Sequence, residues 1–161
     1  MTNELKTILF LHILSAMVMV GGIVGFVLLF QRARGAADPM GVRSTIGNAS
    51  LINRVLVVPA GALAGIFGMF LMLRYDQEGI FDAGKQGWIH FSILLWLVAL
   101  GIAGFASRLT RRAVAAGGDS SNGVALRDAL TKGPLAILAW ANVLVAVVIL
   151  YFMVFKPFIS D

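Results

Sequence analysis

Four apolar runs, at about 7–30, 52–73, 88–107 and 134–155, alternate with shorter polar stretches along the chain. Each can cross hydrocarbon about 30 Å thick as a helix of roughly 20 residues. None alternates apolar and polar positions with period two, as a barrel strand would. Backbone groups in lipid must also be satisfied within their own segment, so the pattern predicts helices. The expected fold is all-α: a four-transmembrane-helix up-down bundle, with residues 1–161 forming one integral-membrane domain. The first run is too long, and too poor in A-x-A-like sequence, for a cleaved signal peptide, and is read as a retained span. Pro134 suits the first turn of the fourth helix, and Pro59 predicts a bend in the second.

Composition agrees with this pattern. Apolar residues make up 59% of the chain and charged residues 13%, against about 25% in soluble domains, so a water-facing surface cannot be covered. The mean hydropathy is +0.89 and the pI about 10.3. That basicity reads by location as a membrane signal, with no nucleic-acid partner implied. Arg32, Arg34, Arg43 and Arg54 fall in or beside the first loop, and Arg108, Arg111, Arg112, Arg127 and Lys132 in the third, nine of the 13 basic residues. The termini and second loop share Lys6, Arg74, Lys85 and Lys156 with Glu4, Asp76, Glu78, Asp82 and Asp161. The positive-inside rule then places loops one and three in the cytoplasm and both termini on the outer, periplasmic side of a bacterial inner membrane. Cysteine is absent, which excludes disulfides, iron–sulfur clusters and thiolate chemistry.

Candidate chemistry is sparse. His12 and His90, the two histidines of the chain, fall within the four runs, each near the start of an odd-numbered one. Helices one and three lie diagonally opposite in an up-down bundle. At 1.5 Å per residue the two imidazoles differ in depth by only a few Å. Neutral imidazole is a common ligand of haem iron, so the expected cofactor is b-type haem between His12 and His90 in the outer leaflet. The pair could instead bind bacteriochlorophyll singly or contact quinone. Gly65 and Gly68 on helix two would leave room for a porphyrin face. Lys6, Arg74 and Lys85 could pair with propionates, while Trp88, Phe91 and Phe10 could line the pocket. Each has a plainer alternative. Gly21-xxx-Gly25 and Gly61-xxx-Gly65 match close-packing motifs, and basic residues and Trp88 commonly anchor at the interface.

Other chemistries lack their parts. Two histidines without Cys or a nearby carboxylate make a poor zinc site. Met17, Met19, Met69 and Met72 are soft copper donors, but Met17 and Met19 point to different helix faces. Asn142, Ser15 and Ser92 are the remaining intramembrane polar groups, and Asn142 is expected to hydrogen-bond across helices. With no intramembrane Asp, Glu, Lys or Arg expected, a proton relay, charged-substrate transporter or voltage sensor has nothing to work with. GGDSSNG (residues 117–123) and the arginine clusters suit anionic headgroups or a partner protein better than a phosphate loop.

LHILSAMVMVGGIVG (residues 11–25) and WIHFSILLWLVALGIAGFASRLTRR (residues 88–112) resemble a bacterial family of predicted integral-membrane proteins of unknown function. That family resembles the membrane domain of copper-resistance protein D and, more distantly, a haem-linked protoporphyrinogen oxidase membrane family. The resemblance implies a helical bundle in which His12 and His90 are candidate haem ligands. It transfers neither the oxidase activity nor a copper site.

The expected function is therefore a small cytochrome-like membrane protein, more a redox carrier than a stand-alone enzyme, binding haem near the outer face and exchanging electrons with quinone or a docked subunit. The alternative is a non-catalytic structural or accessory subunit of a respiratory or photosynthetic complex. Its partners would be membrane lipid and other membrane subunits or further copies of the chain.

Overall fold

In the computed structural model, residues 2–35, 38–75, 83–116 and 134–155 are described. Helix α1 is Asn3–Gly35, α2 Pro39–Ile52, α3 Val58–Tyr75, α4 Ala83–Ala116 and α5 Leu135–Phe155; a π-helical turn, Asn53–Val57, joins α2 to α3. Four stretches are long and apolar enough to span a membrane: Asn3–Gly35, Met40–Arg74, Gly87–Arg112 and Leu135–Phe155. Span two is thus the continuous rod α2–π–α3.

Span one packs on spans two and four, and span three packs on the same two neighbours. Among the described residues spans one and three share no close backbone contact, the diagonal arrangement expected of an up-down bundle. Leu135 at the start of α5 clusters with Phe30, Ala33, Val42, Ile46 and Ala106. The start of span four is therefore level with the end of span one, which puts Asn3 and Phe155 at the same end of the bundle.

The start of span two differs from expectation. The rod begins at Pro39, and the first connection shrinks to residues 36–38. Asp38 caps it in an extended conformation (φ −88°, ψ 126°), its carboxylate accepting from the backbone N–H groups of Met40 at 3.3 Å and Gly41 at 3.0 Å. Pro39 occupies the first turn, where its missing N–H costs nothing. Val42, Ile46 and Ala49 then recur at i, i+4 and i+7 and are buried. Arg43 and Arg54 consequently sit within the rod rather than at loop edges.

Pro59 is accommodated within the rod by a specific device. It cannot donate to the carbonyl of Val55, and its ring would crowd that carbonyl. The π turn absorbs the mismatch just before it, the Val58 N–H reaching back to the carbonyl of Asn53.

That turn fixes Asn53, buried at 3% exposure, against span three. Its Nδ2 donates to the carbonyl of Ala103 at 2.9 Å and to Ser107 Oγ at 2.7 Å. Asn142 was expected to make the interhelical bond, but its buried Oδ1 has no hydrogen-bond partner among the described residues. It faces a small cavity that Asn53 also lines. Span three carries backbone-bonded hydroxyls along its buried seam, Ser92 to the Trp88 carbonyl and Thr110 to that of Ala106, each at 2.8 Å. Asn53→Ala is expected to cost about 1 kcal/mol, near the upper half of measured membrane hydrogen-bond couplings. Reversible unfolding in detergent or bicelles checks it; an unchanged midpoint would mean that these bonds hold nothing together.

Candidate functional site

The most organised polar geometry lies on the glycine face of α3. There the main-chain carbonyls of Gly61 and Ala64 each take a second hydrogen bond beyond the helical one. Two rings approach from different helices. From span three, the Trp96 indole N–H donates to the carbonyl of Gly61 at 2.8 Å. From span one, the His12 ring bonds through Nδ1 to the carbonyl of Ala64 at 2.9 Å.

The glycines make room for these rings. A Cβ at Gly65 would meet indole carbons of Trp96 at 2.6 and 2.7 Å. One at Gly68 would meet His12 Cε1 at 3.1 Å and Nδ1 at 3.3 Å. One at Gly61 would strike Leu100 at 2.8 Å and the sulfur of Met19 at 3.2 Å. In this arrangement Gly65 and Gly68 receive protein side chains where a porphyrin face was expected. The other expected packing motif shifts by one residue. Gly21 and Gly25 have nothing within 4 Å, whereas a Cβ at Gly22 would meet Val57 at 2.7 Å.

The His12 hydrogen bond determines which ring nitrogen carries a proton. A carbonyl oxygen can only accept, so Nδ1 is the donor. In the neutral ring Nε2 is left with a lone pair. This is the usual support of a metal-bound histidine, whose second nitrogen donates to a backbone carbonyl and so fixes ring orientation and basicity. His12 is half-buried, three residues before buried Ser15 on the inner side of α1.

His90 does not join it. Buried Ser92, Ala99, Ala103, Ala106 and Thr110 define the inner seam of α4. His90 lies two residues from Ser92, about 200° around the helix, and is exposed. Trp96 is level with Gly61 and Gly65, and His12 with Ala64 and Gly68. His90, six residues before Trp96, therefore sits about one turn further toward the helix ends than His12. The two histidines share one half of the bundle and roughly one depth, but not a face. Both rings would have to reorient to grip one macrocycle inside the closed bundle.

The remaining expected residues spread over the surface of this half. Lys6 and Arg74 are exposed, and the side chain of Lys85 lies outside the described residues. Trp88 is half-buried, and its carbonyl accepts from Ser92. Phe91 stacks on Phe152 of span four with centroids 6.1 Å apart, and Phe10 is exposed. Met17 and Met69 are exposed while Met19 is buried. Trp96 was missed by the sequence reading. Its signal was an indole N–H deep in an apolar run, which needs an acceptor when buried.

The model of a family described as "Predicted integral membrane protein (DUF2269)" matches residues 6–157. No curated protein and no solved structure matches the chain.

Proposed function

The chain belongs to this family of predicted integral membrane proteins, whose description gives no activity, and we propose its function from its own geometry: a small haem-bearing accessory subunit of a bacterial inner-membrane redox complex. The observation that carries the proposal is the His12 hydrogen bond to Ala64, which orients the ring and, in the neutral ring, leaves Nε2 a lone pair that a metal could use. Residues 11–25 and 88–112 resemble a family of predicted integral-membrane proteins that in turn distantly resembles a haem-linked protoporphyrinogen oxidase membrane family.

The residues fit one imidazole ligand within this chain rather than two. His12 would hold the group at the surface where span one meets span two, and a neighbouring protein surface would cover its other side. Haem, when bound, supplies one-electron transfer. The chain's residues orient it and set its surroundings. Ala64 anchors the His12 ring, Gly68 lets that ring approach span two, and exposed Lys6 and Arg74 place positive charge at the same end for propionates. Quinone in the outer leaflet is the proposed exchange partner, with the arginine-rich end in the cytoplasm by the positive-inside rule.

A second reading, a structural subunit without a cofactor, is favoured by the same polar contacts taken as fasteners: His12 to Ala64, Trp96 to Gly61 and Asn53 to Ala103 all bond one helix to the backbone of another. An absorption spectrum of the protein purified from its native membrane, oxidised and then dithionite-reduced, separates the two. The haem proposal expects a Soret band that shifts on reduction, at about one haem per chain. A clean, folded preparation without that band leaves the structural reading.

A further inference from the structure

A buried polar group in the interior of the bundle calls for a partner. Asn142 of span four is 6% exposed, and its Oδ1 has no hydrogen-bond partner among the described residues. It lines a cavity to which every span contributes, with Phe26 from span one, Asn53 from span two, and Ala103 and Ala106 from span three. The other described lining residues are apolar, so the two asparagines are the polar side chains of this cavity.

An amide oxygen buried without a hydrogen bond is destabilising, and more so in apolar surroundings. The neighbouring asparagine cannot supply the bond. Both hydrogens of Asn53 Nδ2 are engaged, one with the carbonyl of Ala103 at 2.9 Å and the other with Ser107 Oγ at 2.7 Å. What Asn53 has left is Oδ1, and an amide oxygen only accepts. No described side chain around the cavity therefore has a hydrogen to offer Asn142 Oδ1.

The missing partner is a small, neutral donor. None of the lining residues is charged, so an ammonium or metal ion would lie there without a counter-charge. The cavity volume is about 10 Å³, which admits one water molecule and little else. Water brings two hydrogens, one for each amide oxygen. Its place in the bundle matters as well. Spans two and four are diagonal and, among the described residues, share no close backbone contact.

We propose that this cavity is a binding site for one structural water molecule. It donates one hydrogen to Asn142 Oδ1 and the other to Asn53 Oδ1, and so ties span four to span two across the diagonal. A bridging water holds two polar groups nearly as well as a direct hydrogen bond. The π turn takes part by setting Asn53 against span three, which commits its amide hydrogens there and leaves its oxygen for the water. The site shares no residue with the surroundings of His12 and is independent of the haem proposal.

The test is water-edited solid-state NMR of the full chain, isotopically labelled, in phospholipid bilayers. Magnetisation from water protons is expected to reach the side-chain amides of Asn142 and Asn53 sooner than buried Ala146, one turn further along α5. Asn142→Ala enlarges the cavity but removes the acceptor, and is expected to abolish the early transfer to Asn53. Ala139→Val narrows the cavity and keeps both asparagines, and is expected to abolish early transfer to both. Backbone spectra verify that the helices persist in each variant, and the wild-type measurement decides alone if neither variant folds. Transfer to Asn142 no faster than to Ala146 overturns the site. So does undiminished transfer to Asn53 in Asn142→Ala, which would show water that fills space without being held by Asn142.

Discussion

Gly65→Leu is expected to destabilise the bundle by about 2–3 kcal/mol, the upper range for forcing extra carbons into a packed interior. A side chain there meets the six-membered part of the Trp96 indole, which is held by its bond to the Gly61 carbonyl and cannot simply swing aside. Moving the ring breaks that bond as well. The comparison is Gly101→Leu on span three, where a Cβ has open space and a better helix former carries no packing penalty. Thermal unfolding in detergent should show a clear loss for Gly65→Leu and little change for Gly101→Leu. Trp96→Ala should be costly alone, yet in combination with Gly65→Leu it should cost less than the two separate losses together, because each removes the other's obstacle. Equal midpoints for Gly65→Leu and Gly101→Leu would show that the glycine face is not where span three locks onto span two.

Much of the architecture was legible in the sequence. Hydropathy alone locates four helices, because no other backbone arrangement satisfies its own polar groups in lipid, and chain order makes spans one and three diagonal. The start of span two was not legible to hydropathy. Residues 39–52 are too polar for a membrane window, although Val42, Ile46 and Ala49 carry the helical spacing and Asp38–Pro39 the start signal. Moving that start back to Pro39 places Arg54 within a continuous helical rod, whose π turn fixes Asn53 against span three.

For the candidate site, depth was readable and direction was not. Counting 1.5 Å per residue from the ends of the apolar runs puts His12 and His90 in the same half, as observed. Direction depends on which face of a helix is buried, and a span apolar all round gives no amphipathic stripe from which to read it. The seam of α4 is visible only through the small and hydroxyl residues Ser92, Ala99, Ala103, Ala106 and Thr110, and relative to that seam His90 points outward. The glycines were ambiguous for a related reason. A glycine marks a close approach without naming what approaches, and here it is Trp96 and His12.

The central proposal is that His12 is the ligand imidazole and His90 is not its partner. The most direct measurement is the haem-to-protein ratio, by pyridine haemochrome, of purified His12→Ala and His90→Ala beside the wild type. His12→Ala is expected to lose nearly all of its haem, and added imidazole to restore part of the Soret band by occupying the vacated space. His90→Ala is expected to keep close to the wild-type ratio. Haem retained in full by His12→Ala, or lost equally from both variants, would contradict the account.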